Sequence, residues 1–431
     1  MTTPQSSPAH STIRQASDRF PIHQAPDRFP MYTPEFAADP HGAYGEMRRR
    51  NLSLVPVDLA PNVPATLVIS HTTAVRILND PDHFPSDPRE WQPTVPQDTP
   101  VLAMMAWFPA ARYNTGSAHD RYRDASVASI DGIDTTNVNS LVESIAIPLI
   151  NKFCGKGSAD LMADYAFGLV LEVLNRICGC PAEIGKRVAT GMAARFDQRS
   201  TLTAQQGMTM IKDALMELIS LKRANPEPEM DATSRLVTHP TALDDVEVFA
   251  QLMSFYGAGF ELERNLITNT LLLMLTDTRY GAFGGDYGRN LSTVTALDEV
   301  LFNDPPMANF CFRYPQRPVM VDGIFLEAHQ PVVVSLAACN NDPAIRVTLD
   351  PGGSHIGNRS HVAFGGGPHG CPAKPLAYEI AQHAIDQLFA ALPDMSPAVP
   401  VDQLTWRPGP FHRALKAFPV VFDPLPPMPV R

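Results

Sequence analysis

Apolar residues recur at helical spacing along most of the chain, and short β-branched runs interrupt this pattern. The helical period predicts helices over residues 40–51 and 72–78 and over most of residues 117–277. The β-branched and alternating runs predict strands at residues 52–57, 65–70 and 318–337. Residues 80–115 are rich in proline and polar side chains, which predicts a long loop region. The pattern therefore indicates a mainly α protein with small β-sheets, preceded by a flexible tail over residues 1–30.

One predicted helix is long enough to cross the whole molecule. It begins near Thr241, where Thr241 and Asp244 fit a capping box, and continues to about Thr276, a span of roughly 50 Å. Its centre reads Gly257-Ala258-Gly259, although each glycine inside a helix costs about 1 kcal/mol relative to alanine. Such small residues allow either a flat ligand or a second helix to approach the backbone closely.

A second helix is predicted to begin at Cys371-Pro372, because proline suits the first position of a helix. Its apolar residues fall at helical spacing, and Pro393 is expected to end it. Cys371 would then lie at a helix N-terminus.

Composition and charge narrow the functional classes. The chain has 431 residues, of which 44% are hydrophobic and 18% charged, so it can form a large core. A net charge of −11 argues against nucleic acid as the main partner. No apolar run approaches the roughly 18 residues that span a bilayer, and the polar N-terminus lacks a signal-peptide pattern. Six cysteines without regular spacing do not suggest a disulfide framework, so the expected location is the reducing cytoplasm.

The segment 364–371 (FGGGPHGC) carries the strongest chemical signal. A helix N-terminus lowers the pKa of a cysteine thiol, because the helix dipole and free N–H groups favour the thiolate. The glycines allow backbone N–H groups to turn toward the sulfur, and Phe364 can shield the sulfur from water. A shielded thiolate suits a soft or borderline metal as an axial ligand. A lone cysteine is otherwise more often a core residue.

This segment resembles the haem-ligand loop of the cytochrome P-450 family of haem-thiolate monooxygenases, whose pattern is FxxGxxxCxG. Phe364, Gly365 and Cys371 lie in this loop, and Ala373 stands where glycine is usual. The resemblance extends from about residue 34 to 420. It implies haem b (iron protoporphyrin IX) ligated by Cys371 and the family's triangular helical prism, in a single domain over residues 31–431.

The resemblance also implies which residues hold the haem propionates. His119 and Arg123 match the family's HxxxR, Arg313 matches a strand arginine of bacterial members, and His369 lies two residues before the cysteine. Cationic and donor groups suit buried carboxylates. Taken singly, each is more often a surface arginine or a satisfied histidine, and their order along the chain with Cys371 favours the binding role.

The centre of the long helix is similar to the family's oxygen-binding turn, AGx(E/D)T. Ala258, Gly259 and Glu261 match it, but Leu262 replaces the threonine. In the family that hydroxyl helps to deliver protons to iron-bound dioxygen, and leucine has no donor or acceptor for this. Glu261 is therefore the expected proton relay.

A second departure concerns the family's ExxR, a buried ion pair that fixes the loop before the haem ligand. The chain has Glu299 but Phe302 in place of the arginine, and removing one partner of a buried pair typically costs about 3–5 kcal/mol. Arg346 and Arg359 are candidate substitute partners. Some actinobacterial members of the family lack this arginine, and the chain is expected to be such an atypical member that still binds haem.

Family position also places a substrate pocket over the haem. Its candidate lining residues are Met105, Trp107, Phe108, Leu262, Ala308, Phe310 and Phe411. The implied function is oxidation of a small apolar organic molecule by a soluble monomer, with electrons from a ferredoxin and its reductase, since the chain has no flavin or iron–sulfur motif. The alternatives are a non-catalytic accessory protein, which loss of the threonine and the arginine would favour, and a peroxide-driven haem enzyme.

Overall fold

Helices account for most of the chain that the computed structural model describes, namely residues 28–50, 53–196, 200–226, 231–280, 291–345 and 358–430. The first seven helices are α1 (Pro34–Ala38), α2 (Pro40–Arg49), α3 (His71–Leu78), α4 (Leu102–Met105), α5 (Gly116–Asp131), α6 (Val138–Ile150) and α7 (Phe167–Ile177). The next seven are α8 (Ala182–Phe196), α9 (Ala204–Ala224), α10 (Ala232–Thr238), α11 (Asp245–Thr276), α12 (Thr293–Asn303), α13 (Leu336–Asn340) and α14 (Lys374–Ala391).

The strands in the described part of the chain form three small sheets. In chain order they are β1 (Phe29–Pro30), β2 (Leu54–Ala60), β3 (Val63–Val68), β4 (Ser158–Asp160), β5 (Asn309–Arg313), β6 (Val319–Val321), β7 (Ile324–Leu326), β8 (Val332–Ser335), β9 (Ser396–Pro397) and β10 (Pro419–Val421). The largest sheet has the order β1-β2-β3-β8-β5, a second has the order β4-β10-β9, and β6 pairs with β7. The predicted mainly α fold with small sheets is confirmed.

Phe29 and Pro30 form an edge strand of the largest sheet, so the prediction that residues 1–30 form a flexible tail is wrong for its last residues. Phe29 pairs with Val57 in parallel register, and the Arg28 guanidinium donates to Asp58 at 2.8 Å. Residues 1–27 of the predicted tail lie outside the described residues.

The long central helix, α11, begins later than the sequence suggested. Asp244 is its N-cap and forms a reciprocal capping box with Glu247, so the prediction that Thr241 caps this helix is wrong. Asp244 prevails because its N–H donates to the carboxylate of Glu247, three residues further on, and the Glu247 N–H donates back to the Asp244 side chain. The helix ends at Thr276 as expected, and at 1.5 Å per residue its 32 residues span about 48 Å.

The helix after the cysteine also begins later than expected. Helix α14 starts at Lys374, with Ala373 as its N-cap and Pro375 in the first turn, so Cys371 lies in the preceding loop. The predicted start at Cys371-Pro372 is wrong, because Pro375 occupies the early helical position that Pro372 was expected to fill. Helices α11, α12 and α6 pack against α14, which fixes the end of the cysteine loop to the helical core.

Candidate functional site

The glycine-rich loop before α14 is held against helix α3. Gly365 and Gly367 have φ values of 72° and 63°, which L side chains rarely adopt. A Cβ on Gly367 would lie 2.2 Å from the carbonyl oxygen of Leu78, the last residue of α3. The Cys371 N–H donates to the carbonyl oxygen of Phe364 at 2.9 Å and closes the loop. Glycine is therefore required for the loop to lie where it does.

Cys371 is enclosed by the protein, yet its side chain has accessible surface. Burial raises the pKa of its thiol, while a hydrogen bond from the Ala373 N–H and the charge of Arg123 act in the opposite direction. The expected lowering of this pKa by a helix N-terminus is thus wrong for the protein alone, because α14 begins three residues later and burial outweighs the donors. A residue that is enclosed but accessible faces an internal space. A metal there would displace the thiol proton, since the thiolate is the ligand.

Buried nitrogen atoms of residues near Cys371 lack hydrogen-bond partners among the described residues. Among the described residues, no hydrogen-bond partner exists for His119 Nε2, His369 Nδ1, or Arg313 Nε and Nη2. The rings of His119 and His369 are 4.4 Å apart between centroids. Because buried polar atoms are nearly always hydrogen-bonded, these atoms indicate acceptors that the polypeptide itself does not supply.

Electrostatics place Arg123 in the same cluster. Burial, followed by the charges of Arg313, His119 and Arg123, lowers the pKa of His369 to about 3. Burial also lowers the pKa of Arg123, which the charge of Cys371 partly offsets. The four residues predicted to bind propionates are therefore brought together near Cys371.

The two glycines at the centre of α11 differ in their surroundings: Gly257 leaves open space, as for a flat ligand, and Gly259 allows close packing of another helix. Gly257 and Ala258 are exposed in the middle of this otherwise buried helix, and a Cβ on Gly257 would meet no atom within 4 Å. A Cβ on Gly259 would lie 3.1 Å from Leu174 Cδ2, which is close helix packing. Glu263, further along α11, is near enough for its charge to raise the pKa of Cys371. This part of α11 and the cysteine loop thus lie opposite each other.

These residues fit an iron porphyrin. The thiol of Cys371 can ligate iron, the unpartnered nitrogens of His119, Arg313 and His369 can receive two carboxylates, and the bare helix surface at Gly257 leaves room for a flat ring. The donor set agrees in chemistry with haem-thiolate ligation.

Known proteins resemble the chain over nearly its whole length. Vitamin D(3) 25-hydroxylase of Pseudonocardia autotrophica is 26% identical over 414 residues, which cover 91% of this chain and 96% of that protein. Cytochrome P450 monooxygenase PikC of Streptomyces venezuelae is 27% identical, with 90% and 92% covered. The solved structure of CYP154C4 from Streptomyces superposes with a TM-score of 0.78 at 22% identity, with 91% and 97% covered. The chain thus resembles cytochromes P450 in sequence and in fold. No family model matches it.

This likeness to cytochromes P450 confirms several expectations. The fold is the family's helical prism, the cofactor is haem b, and the enzyme class is that of a haem-thiolate monooxygenase. P450 relatives take their electrons from redox partners, and several relatives are named hydroxylases or monooxygenases, so the accessory-protein alternative is not favoured. Among the described helices, none has the length and hydropathy needed to cross a membrane.

Glu261 is buried in a polar network on α11. Its carboxylate contacts Arg264 at 2.7 Å, and it accepts hydrogen bonds from Asn265 and from Arg407 of the C-terminal segment. Burial raises the pKa of Glu261, but the charges of Arg264 and Arg407 outweigh it and hold the pKa below its ordinary value. Glu261 is therefore ionised. Leu262, beside it, packs against the apolar cluster around the largest sheet.

Glu299, the first residue of the altered ExxR, pairs away from the cysteine loop. Arg279 donates to it at 2.6 Å and the Tyr280 hydroxyl at 2.7 Å. Arg359 was a candidate partner of Glu299, and this is wrong, because Arg359 contacts Asp298 instead at 3.1 Å. Arg346, the other candidate, lies outside the described residues.

Asp298 takes the buried position next to the loop. Its side chain is 2% exposed and accepts a hydrogen bond of 2.8 Å from the Tyr378 hydroxyl of α14. Burial raises the pKa of Tyr378, so its hydroxyl stays protonated and donates. The Tyr378 ring packs on Phe364, with centroids 5.9 Å apart. Asp298 and Tyr378 were not found from the sequence, where the only signal was a second acid beside Glu299.

Phe302 and Asn340 complete the support of the loop. Phe302, in place of the arginine, is fully buried and meets the His361 ring edge-on, with centroids 6.3 Å apart. The Asn340 side chain donates to the carbonyl oxygen of Leu301 on α12 and accepts from the Val362 N–H of the loop. An aromatic contact and a bridging amide thus connect α12 to the loop.

The candidate substrate-pocket residues separate into two groups. Five of them lie together in the apolar cluster around the largest sheet, namely Met105, Leu262, Ala308, Phe310 and Phe411. Phe108 packs instead against Phe249 of α11, with centroids 6.0 Å apart. The Trp107 ring lies under the guanidinium of Arg89.

Proposed function

We propose that this P450 hydroxylates a small organic molecule with an apolar body, receives electrons from a ferredoxin and its reductase, and acts as a cytoplasmic monomer. One observation carries the catalytic part of this proposal. Buried nitrogen atoms of His119, Arg313 and His369 have no hydrogen-bond partner among the described residues. Arg313, His119 and Arg123 are close enough for their charges to act on His369, and Cys371 is close enough for its charge to act on Arg123. This arrangement suits a dicarboxylate cofactor with a metal at its centre.

Each residue then has a definite task. Cys371 ligates the iron, supported by the Ala373 N–H, while the ring of Phe364 and the turn at Gly365 shape the loop. His119, Arg123, Arg313 and His369 hold the propionates by charge-assisted hydrogen bonds. Gly257 and Ala258, which are exposed at the centre of α11, would leave room for the haem, and Gly259 lets the helix pack closely on Leu174. When bound, the haem supplies the reductive activation of dioxygen.

Glu261 moves the protons that this reaction consumes. One oxygen atom enters the substrate and the other leaves as water, with two electrons and two protons taken up. Oε1 of Glu261 accepts from Arg407 and Asn265, so proton uptake at this atom requires Arg407 to turn outward. The Arg407 side chain is 31% exposed and can reach solvent. Glu261 thereby acts alone where the family uses an acid and a threonine hydroxyl, because Leu262 stands in the threonine position.

The apolar residues Met105, Leu262, Ala308, Phe310 and Phe411 form the substrate wall in this proposal. Their apolar cluster supports a substrate body held by burial of apolar surface. Trp107 and Phe108 have less support as lining residues, because Arg89 and Phe249 occupy their rings.

A Glu261→Gln variant tests the proton role, with Glu217→Gln as the matched control on the surface. Haem-loaded proteins are supplied with NADPH, a surrogate ferredoxin and reductase, and an alkoxycoumarin probe. We expect Glu261→Gln to keep the haem spectrum but to consume NADPH about 10- to 100-fold more slowly, while Glu217→Gln matches the wild type.

Equal NADPH consumption by Glu261→Gln and the wild type would remove Glu261 from proton transfer. Wild-type product formed with hydrogen peroxide alone, and none with NADPH and the donors, would instead establish the peroxide-driven alternative.

A further inference from the structure

A cation lies in the cavity between the loop before α5 and strand β5. The cavity is lined by Ser86, Met105, Arg112, Phe310, Tyr314 and His369, among others. The Arg112 guanidinium stacks on the Tyr113 ring at 4.4 Å and faces the Phe310 ring at 5.4 Å. It also donates to the Met104 carbonyl oxygen at 3.0 Å and to the Tyr113 hydroxyl. Two rings and two oxygen atoms thus hold Arg112 in one orientation.

Arg112 has no carboxylate partner within the part of the chain that the structure describes. The nearby Asp87 is occupied by Arg89, which donates to both of its carboxylate oxygens. Aromatic faces stabilise a cation, but neither they nor neutral oxygen atoms balance its charge. A partly buried guanidinium without a counterion therefore favours an anionic ligand.

A second, independent donor lies in the same cavity. Tyr314 is 2% exposed, and its hydroxyl is buried without a hydrogen-bond partner among the described residues. Arg112 is close enough for its charge to act on this hydroxyl. The Tyr314 ring packs against Trp91, with centroids 5.7 Å apart, so its position is fixed. A cation and an unsatisfied hydroxyl at one cavity match the two oxygens of a carboxylate.

Charge balance separates this pair from the residues assigned to the propionates. Two propionates carry two negative charges, which the guanidinium groups of Arg123 and Arg313 balance. Arg112 is the cation left over, on the side of the cavity where Phe310 and Met105 form the candidate substrate wall.

We propose that Arg112 and Tyr314 bind a carboxylate on the substrate, so that this P450 oxidises an organic acid whose apolar body lies against Met105 and Phe310. The proposal rests on the proposed haem-dependent function and adds the charge of the substrate to it. The acid group is anchored beside β5, and the apolar part of the molecule extends from this anchor toward the centre of α11.

The test uses ligands that bind the haem iron whatever the natural substrate is. A series of ω-(imidazol-1-yl)alkanoic acids with three to eleven methylene groups is titrated into the haem-loaded protein, alongside alcohols of the same lengths, and followed by the shift of the Soret band. The variants are Arg112→Gln and Tyr314→Phe, and Arg76→Gln is the control because its guanidinium pairs with Asp322 on the surface.

For the chain length that fits best, we expect the acid to bind the wild type about 10- to 100-fold more tightly than the alcohol, as for a charge-assisted hydrogen bond. Arg112→Gln should abolish this preference and Tyr314→Phe should reduce it several-fold. Both variants should leave the alcohols within about twofold of the wild type, and Arg76→Gln should change neither class of ligand.

Several results would overturn the proposal. It fails if no acid in the series binds more tightly than its alcohol, or if Arg112→Gln and Tyr314→Phe keep the preference. Loss of haem from Arg112→Gln, with haem retained in Arg76→Gln, would make Arg112 a propionate residue instead. If the wild type itself binds no haem, the proposed function fails first, and that outcome is visible before any ligand is added.

Discussion

Neutralising Asp298 should destabilise the protein more than neutralising its neighbour Glu299, which is the reverse of the order that the family pattern suggests. Asp298→Asn and Glu299→Gln each remove one negative charge from α12 and preserve side-chain size. By the ExxR pattern, Glu299 would be the important acid. By the contacts in the structure, Asp298 is the important one, because of these two acids it is the one whose side chain accepts from Tyr378 beside the cysteine loop.

The expected magnitudes follow from burial. Asp298 is 2% exposed and holds Arg359, whose side chain is 52% exposed. A hydrogen bond to a charged group contributes about 1.5–3 kcal/mol, and Arg359 can return to water when its partner is lost. Asp298→Asn should therefore lower the free energy of unfolding by about 2 kcal/mol. Glu299 pairs with Arg279, which is 46% exposed, so Glu299→Gln should cost under about 1 kcal/mol.

Urea unfolding of the apoproteins measures both changes, and the spectrum of the reduced, carbon-monoxide-bound protein measures their effect on the loop. Asp298→Asn should also reduce the thiolate-type band of this spectrum. Tyr378 packs on Phe364, and the Phe364 carbonyl oxygen accepts from the Cys371 N–H. The reasoning is refuted if Glu299→Gln is the more destabilising variant, or the one that alters the spectrum.

Two further predictions concern the helix centre and a buried histidine. Gly257→Leu should weaken haem binding in a titration while stabilising the apoprotein by up to about 1 kcal/mol, because its side chain enters open space; weaker binding together with loss of apoprotein stability would contradict this. Burial lowers the pKa of His361 from 6.5 to about 4, so protonation favours the unfolded state. The wild type should lose up to about 3 kcal/mol as pH falls from 6.5 to 4, with no further loss from this residue below pH 4. Urea unfolding of His361→Phe should lack this part of the pH dependence, and identical profiles would count against it.

Local patterns predicted the long helix and the cysteine loop well, because both depend on residues close together in sequence. Helix α11 follows from its apolar period, and the loop from glycines around one cysteine. The starts of α11 and α14 were misplaced by a few residues because two capping patterns or two prolines fitted equally well. Only the positions of Glu247 and Pro375 in space decide between them.

The residues that replace the ExxR arginine could not be predicted, because their partners are distant in sequence. Asp298 and Tyr378 are 80 residues apart, and Asn340 bridges two segments that only the fold brings together. The residue pattern did not predict strand β5, although the family resemblance placed Arg313 on a strand. The pairing of β5 with β8 is irregular between Phe310 and Arg313, and Cys311 between them has a φ of 55°.

One spectrum tests the iron ligand directly. The haem-loaded wild type and a Cys371→His variant are reduced and exposed to carbon monoxide. Thiolate ligation by Cys371 predicts a red-shifted Soret band for the wild type, and a band at the histidine position for the variant. A wild-type band at the histidine position, or a red-shifted band that persists in Cys371→His, would show that another atom holds the iron.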